Sequence, residues 1–143
     1  MATNHNATIS KLSDSGQTIT PDDDIRGRVV RDKDGADLGK VDELLIDAQA
    51  HQVRFLLVEH SGFLGLGARD SFIPVDAIST ITDTVVTINH TRERVASAPE
   101  YNPDLIDDRN YHDSIYGHYG AIPHWAAGYD YPGDYLGRTF MFM

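Results

Sequence analysis

Val53-Arg54-Phe55-Leu56-Leu57-Val58 is the stretch on which the fold turns. Apart from Arg54 it is wholly apolar, and it shows no polar alternation. A run this short reads as a strand buried on both faces rather than as a helix. Upstream, residues 37–47 carry Leu38, Val41, Leu44, Leu45 and Ile46, an alternation that slips near Glu43 and Leu44 as at a β-bulge. The polar residues 48–52 separate the two runs. Further upstream, residues 26–32 hold Val29 and Val30 and end at Asp34-Gly35, a pair suited to the positive φ of a tight hairpin. Downstream, residues 71–75 and 84–89 form two more short apolar runs, and Pro74 puts the end of its strand at a sheet edge. The fold expected is mainly β: a small barrel of five to six short antiparallel strands over residues 25–90. Closure removes exposed edges. A core from roughly 65 residues is marginal, so added buried area is expected from the tail or from a second copy.

The flanks differ in character. Residues 1–24 lack any apolar period and read as a flexible N-terminal arm. Residues 91–143 read as short helices followed by an irregular Tyr/Gly-rich tail. Thr91 is an expected N-cap for a helix through Ala98, stopped by Pro99. Asp104 is the expected cap of a second helical stretch reaching about Tyr116. Tyr111, Ile115 and Tyr119 fall on one helical face. All seven tyrosines and the only tryptophan, Trp125, lie after residue 100. Tyrosine favours interfaces. The tail is therefore expected to strap the surface, on its own barrel or on a partner.

Charge and composition exclude several classes. The net charge is −10, and residues 99–143 carry half of it. Such a chain repels nucleic-acid backbones and anionic lipid. No run approaches the roughly 20 apolar residues of a membrane span. Cysteine is absent, which removes disulfides and thiolate chemistry and fits a cytoplasmic location. No apolar N-terminal run suggests a secretory signal.

Taken in order, Asp34-Gly35, Leu38-Gly39-Lys40-Val41, Leu44-Leu45-Ile46-Asp47, residues 53–58, Gly62-Phe63-Leu64-Gly65-Leu66-Gly67 and Phe72-Ile73-Pro74-Val75-Asp76-Ala77-Ile78 resemble the PRC-barrel family. Val95 to Pro99 and Tyr116-Gly117-His118-Tyr119-Gly120 are similar to extensions of free-standing bacterial members. The resemblance implies a small β-barrel like those of the photosynthetic reaction centre H subunit and a ribosome maturation factor. There the barrel is a docking or assembly module without chemistry. This chain lacks the membrane helix expected of the first and the second barrel expected of the other. Neither specific function carries over, and no active-site residue is transferred.

Motifs for chemistry are weak. Gly62-x-x-Gly65-x-Gly67 has no following Lys-Ser/Thr, so a phosphate loop is not expected; Phe63, Leu64 and Leu66 read instead as a barrel plug or a sticky contact. His112 lies one helical turn after Asp108, with His118 and His124 nearby, the alternative being a metal or small-ligand module built from tail His and Asp residues. Asp22, Asp23 and Asp24 read as a solvated acidic run. There is no nucleophile elbow, His60-Ser61 is mere adjacency, and nothing pairs Glu43 with Asp76. No enzyme activity, cofactor or metal is expected. The expected function is a protein-interaction or assembly module that docks on a protein partner, a second copy included. Its candidate contacts are Phe63, Leu64, Leu66, Tyr111, Ile115, Tyr116, Tyr119 and Trp125.

Overall fold

The computed structural model describes residues 9–19, 21, 24–47, 49–50, 52–60 and 70–132. Strands β1 (Ile9–Lys11), β2 (Val29–Arg31), β3 (Asp37–Asp47), β4 (Gln52–Glu59), β5 (Ser71–Pro74), β6 (Ile78–Ile81) and β7 (Val85–Ile88) form one mixed sheet. Helices α1 (Leu12–Ser15), α2 (Arg92–Ala96) and α3 (Arg109–Tyr119) complete the chain with two short 3-10 turns. The hydrogen-bonded order is β5-β4-β3-β2-β7-β6. Its two ends, β5 and β6, are joined in sequence by only the 3-10 turn Val75–Ala77. A connection that short keeps the two ends of the order near each other, so the sheet curls into a half-barrel. The mainly β class holds, with one departure: β2 and β7 pair in parallel, Val30 opposite Val86.

The central strand follows its sequence. Every residue from Val53 to Val58 is buried. One face of β4 presents Phe55 and Leu57, which lie opposite Pro74 and Phe72 of β5. Leu44 and Leu56 pair across β3 and β4. The alternation slip appears as register shifts between Val41 and Glu43 and between Leu45 and Ile46. At the first shift the Glu43 side chain turns back to accept from the Leu44 amide and from Ser13 Oγ.

Part of the N-terminal arm joins the sheet. Ile9–Lys11 pairs antiparallel with the end of β3, and Ile9 and Leu12 enter the core. Its apolar residues are too few to show a period, but a partner strand supplies what the local pattern lacks. The Ile9 amide also donates to Asp107, 2.7 Å away, tying the arm to the C-terminal segment.

Beyond the barrel, Thr91 caps α2 as expected, its hydroxyl accepting from the Arg94 amide. The second cap differs. Asn102 caps the 3-10 turn Pro103–Leu105, and Asp108 caps α3 by accepting from the Tyr111 amide. Asp108 outcompetes Asp104 because it stands where helical φ/ψ begins without interruption. Gly120, at φ 69°, ends the helix in the left-handed conformation.

Candidate functional site

α3 lies across β4 and β5. Tyr116 and His112 pack on Phe55 at ring-centroid distances of 5.2 and 4.9 Å, and Tyr111 packs on Phe72 at 5.3 Å. Tyr111, Ile115, Tyr116 and Tyr119 are all buried in this layer. They fill the chain's own core in this arrangement. Trp125 is half-buried, edge-on to Tyr116 and beneath Arg109, whose Cζ sits 4.4 Å from its ring. Phe63, Leu64 and Leu66 lie outside the described residues.

Most barrel polar groups are used by the fold. The Asp32 carboxylate accepts from the amides of Asp34, Ala36 and Arg92, fastening the β2–β3 turn to the start of α2. Burial alone raises its pKa, but these donors hold it below the ordinary aspartate value. His60 donates from Nδ1 to the Leu38 carbonyl and accepts at Nε2 from Ser71, which lies 2.6 Å away across the 61–69 connection. That bridge joins β3, β4 and β5.

The tail histidines are similarly engaged. His112 Nε2 donates to the Ile106 carbonyl, His118 Nε2 to the Arg94 carbonyl, and His124 Nδ1 accepts from the Tyr116 hydroxyl. Asp24 pairs with Arg26 at 2.7 Å. Asp22 and Asp23 lie outside the described residues. No group of three His, Asp or Glu side chains placed for a metal occurs among the described residues. Glu43 and Asp76 keep separate company, Glu43 with Ser13 and Arg26, Asp76 beside Tyr129.

A polar cluster that the sequence reading missed lies under the segment after α3. Arg54 donates from Nε and Nη2 to Asp47, and its Cζ is 5.9 Å from the rings of both Tyr129 and Tyr131. The Tyr131 hydroxyl donates to the Val53 carbonyl. Next to them is Asp76, whose pKa burial pushes up to about 6, while the nearby Tyr129 hydroxyl and Arg54 pull it down. Tyr129 comes close without reaching hydrogen-bond geometry: Asp76 Oδ1, Tyr129 Oη and Arg54 Nη1 are buried and make no hydrogen bond. Arg54 was the available signal, a lone charge inside an apolar run that must find partners when buried.

Asp76 also lines an open cleft of about 270 Å³. Asn89 and His90 after β7, Tyr119 to Ile122 at the end of α3, and residues 128–130 form the rest of its walls. Ile122, 53% exposed, is the sole large apolar side chain fully at the surface among the described residues.

The ionisation of Asp76 has a measurable consequence. An aspartate unfolded near pKa 4 and folded near 6 keeps its proton longer in the native state. Stability from this group is present at low pH and is lost as pH rises from about 4 through about 6. His124, lowered to about 4 chiefly by burial, acts in the opposite sense. The unfolded chain takes its proton first, so stability falls as pH drops from about 6.5 toward 4. His112 and His90, also lowered by burial, act with His124. The two slopes oppose each other in the native chain. Asp76→Asn removes one of them. The variant is expected to exceed the parent by about 2–3 kcal/mol at pH 7, with stability rising steadily from pH 4 to 6.5. Urea unfolding at several pH values checks this; equal stability at pH 7 contradicts it.

A curled, mainly β sheet closed over a core of its own side chains is the architecture of a small β-barrel domain. The family model of the PRC-barrel domain matches residues 20–94, and the chain belongs to that family. The family is one of small, non-catalytic interaction and assembly domains. No curated protein matches the chain. The match ends inside α2, so α3 and the segment after it lie beyond the family domain although they complete its core. No helix among the described residues is long and apolar enough to cross a membrane.

Proposed function

We propose that the protein is a non-catalytic assembly module of the cytoplasm that docks on a protein partner, a second copy of itself included. The filled barrel carries this reading. Leu44, Leu56, Ile73, Val86 and Ile88 are all fully excluded from solvent and belong to one packed core. Function then belongs to the surface. The proposed contacts are Phe63, Leu64 and Leu66 in the connection between β4 and β5, with Trp125 as a second patch. Trp125 is half-buried against Tyr116 and keeps part of its ring at the surface. Three large apolar side chains on a glycine-rich connection suit a docking contact.

Light scattering over a concentration series tests it. The parent chain is expected to form a dimer or larger species, and the triple variant Phe63→Ser, Leu64→Ser, Leu66→Ser a monomer. A parent that stays monomeric at high concentration overturns self-association.

A further inference from the structure

We infer that residues 121–132 are an exchangeable strap: in the self-associated protein the strap of one copy lies on the Arg54 seat of the other. The inference rests on the self-association reading and names a surface through which two copies join.

The way the strap is held is the first support. Among the described residues, no backbone-to-backbone hydrogen bond runs from residues 122–130 to the barrel. Side chains attach it. The Tyr131 hydroxyl donates to the Val53 carbonyl, and the Tyr129 and Tyr131 rings each lie 5.9 Å from Arg54 Cζ. His124 accepts from the Tyr116 hydroxyl, and Trp125 stands edge-on to Tyr116. An identical segment of a second chain makes all these contacts equally well, so exchange forfeits none of them. In the closed chain Asp76 Oδ1, Tyr129 Oη and Arg54 Nη1 stay buried without a hydrogen bond, a cost that eases the opening of the strap.

The hinge is the second. The strap leaves α3 through Gly120, at φ 69°, where the chain reverses. Two backbone bonds hold the reversal, from the Gly120 amide to Gly117 and from the Ala121 amide to Tyr116. Glycine adopts negative φ as readily, so rotation at this one residue re-aims everything after it.

A swapped pair also needs a contact that the closed chain lacks, since the strap's own contacts cancel. Ile122 supplies it. It follows the hinge and is 53% exposed, the sole large apolar side chain so placed among the described residues. The two hinges of a swapped pair cross at its two-fold axis, where each Ile122 meets its mate and leaves water.

The test exploits the lack of cysteine in the full chain. Ala127 is exposed within the strap, so Ala127→Cys carries a nitroxide there alone. The nitroxide chain and nitrogen-15-labelled parent chain are unfolded together in urea. They are refolded at a concentration where light scattering gives a dimer. Only amides of the parent chain are observed, so broadening reports a strap from the other copy. Marked loss of the Val53 and Arg54 signals is expected. A dimer in which both signals stay sharp overturns exchange and leaves self-association standing; a monomer overturns both. Two variants act in opposite directions. Ile122→Ser is expected to weaken the dimer about fivefold without lowering the melting temperature of the dilute monomer. Gly120→Ala strains the closed reversal and is expected to tighten the dimer about fivefold. Dimer constants unchanged in both variants also overturn the exchange.

Discussion

A chain cut after residue 98 is expected to lose its cooperative unfolding transition and to aggregate. The barrel matches a recognised family domain by itself, so truncation looks harmless on the sequence. The structure argues otherwise. Phe55 and Phe72 are 0% and 1% exposed, and what covers them is Tyr111, His112 and Tyr116 of α3. Removing the helix returns both rings to water at about 2 kcal/mol each. It also opens a contiguous aromatic patch, the kind of surface that drives association. The Arg54 cluster loses Tyr129 and Tyr131, and the arm loses the Asp107 carboxylate that holds Ile9. The milder form is Tyr116→Ala, expected to cost about 4 kcal/mol because Tyr116 is fully buried among Phe55, His124 and Trp125. Circular dichroism melts and sedimentation of both variants check the two outcomes. A truncated barrel that melts like the parent contradicts the assigned role of α3.

Gly39→Ala is expected to be the most damaging single-methyl addition among the described glycines of the barrel. Gly39 lies in β3 at φ 133°, a conformation closed to L side chains. A Cβ there would overlap the Glu59 carbonyl oxygen and fall 3.2 Å from the His60 Cα. Both are backbone atoms, one at the end of β4 and one just past it, so no rotamer change relieves the clash. The cost expected is about 3–4 kcal/mol, strain and strand displacement together. Displacement also moves His60, and with it the bridge from Leu38 to Ser71. Gly35→Ala is the control. Gly35 is at φ 88° with open space around it, so only backbone strain of about 1 kcal/mol applies. Equal melting temperatures for the two variants would contradict the close approach of β3 and β4.

The barrel was legible where local pattern and burial agree. Residues 53–58 announced β4 because burial on both faces leaves an uninterrupted apolar run. The slip at Glu43 announced the bulge in β3 for a similarly local reason. Two strands were not legible. Ile9–Lys11 offers one buried apolar residue, and Ile78–Ile81 places two exposed polar residues between its isoleucines. Each is a strand only because a neighbour completes its ladder.

The candidate sites divide along the same line. The sequence by itself determined the barrel, its family, its turns and the concentration of aromatics after residue 100, since these follow from period, turn chemistry and composition. It could not decide what those aromatics cover. Tertiary structure decided that Tyr111, Ile115, Tyr116 and Tyr119 face inward, Tyr111 onto Phe72, Tyr116 onto Phe55 and Tyr119 against His90. It also placed Asp76, from the β5–β6 turn, beside Arg54 of β4 and Tyr129 of the tail. The physical reason is distance along the chain. A helical face records that a side is apolar but not which surface buries it. A half-buried carboxylate set between Arg54 and Tyr129 exists only once remote segments have closed over it.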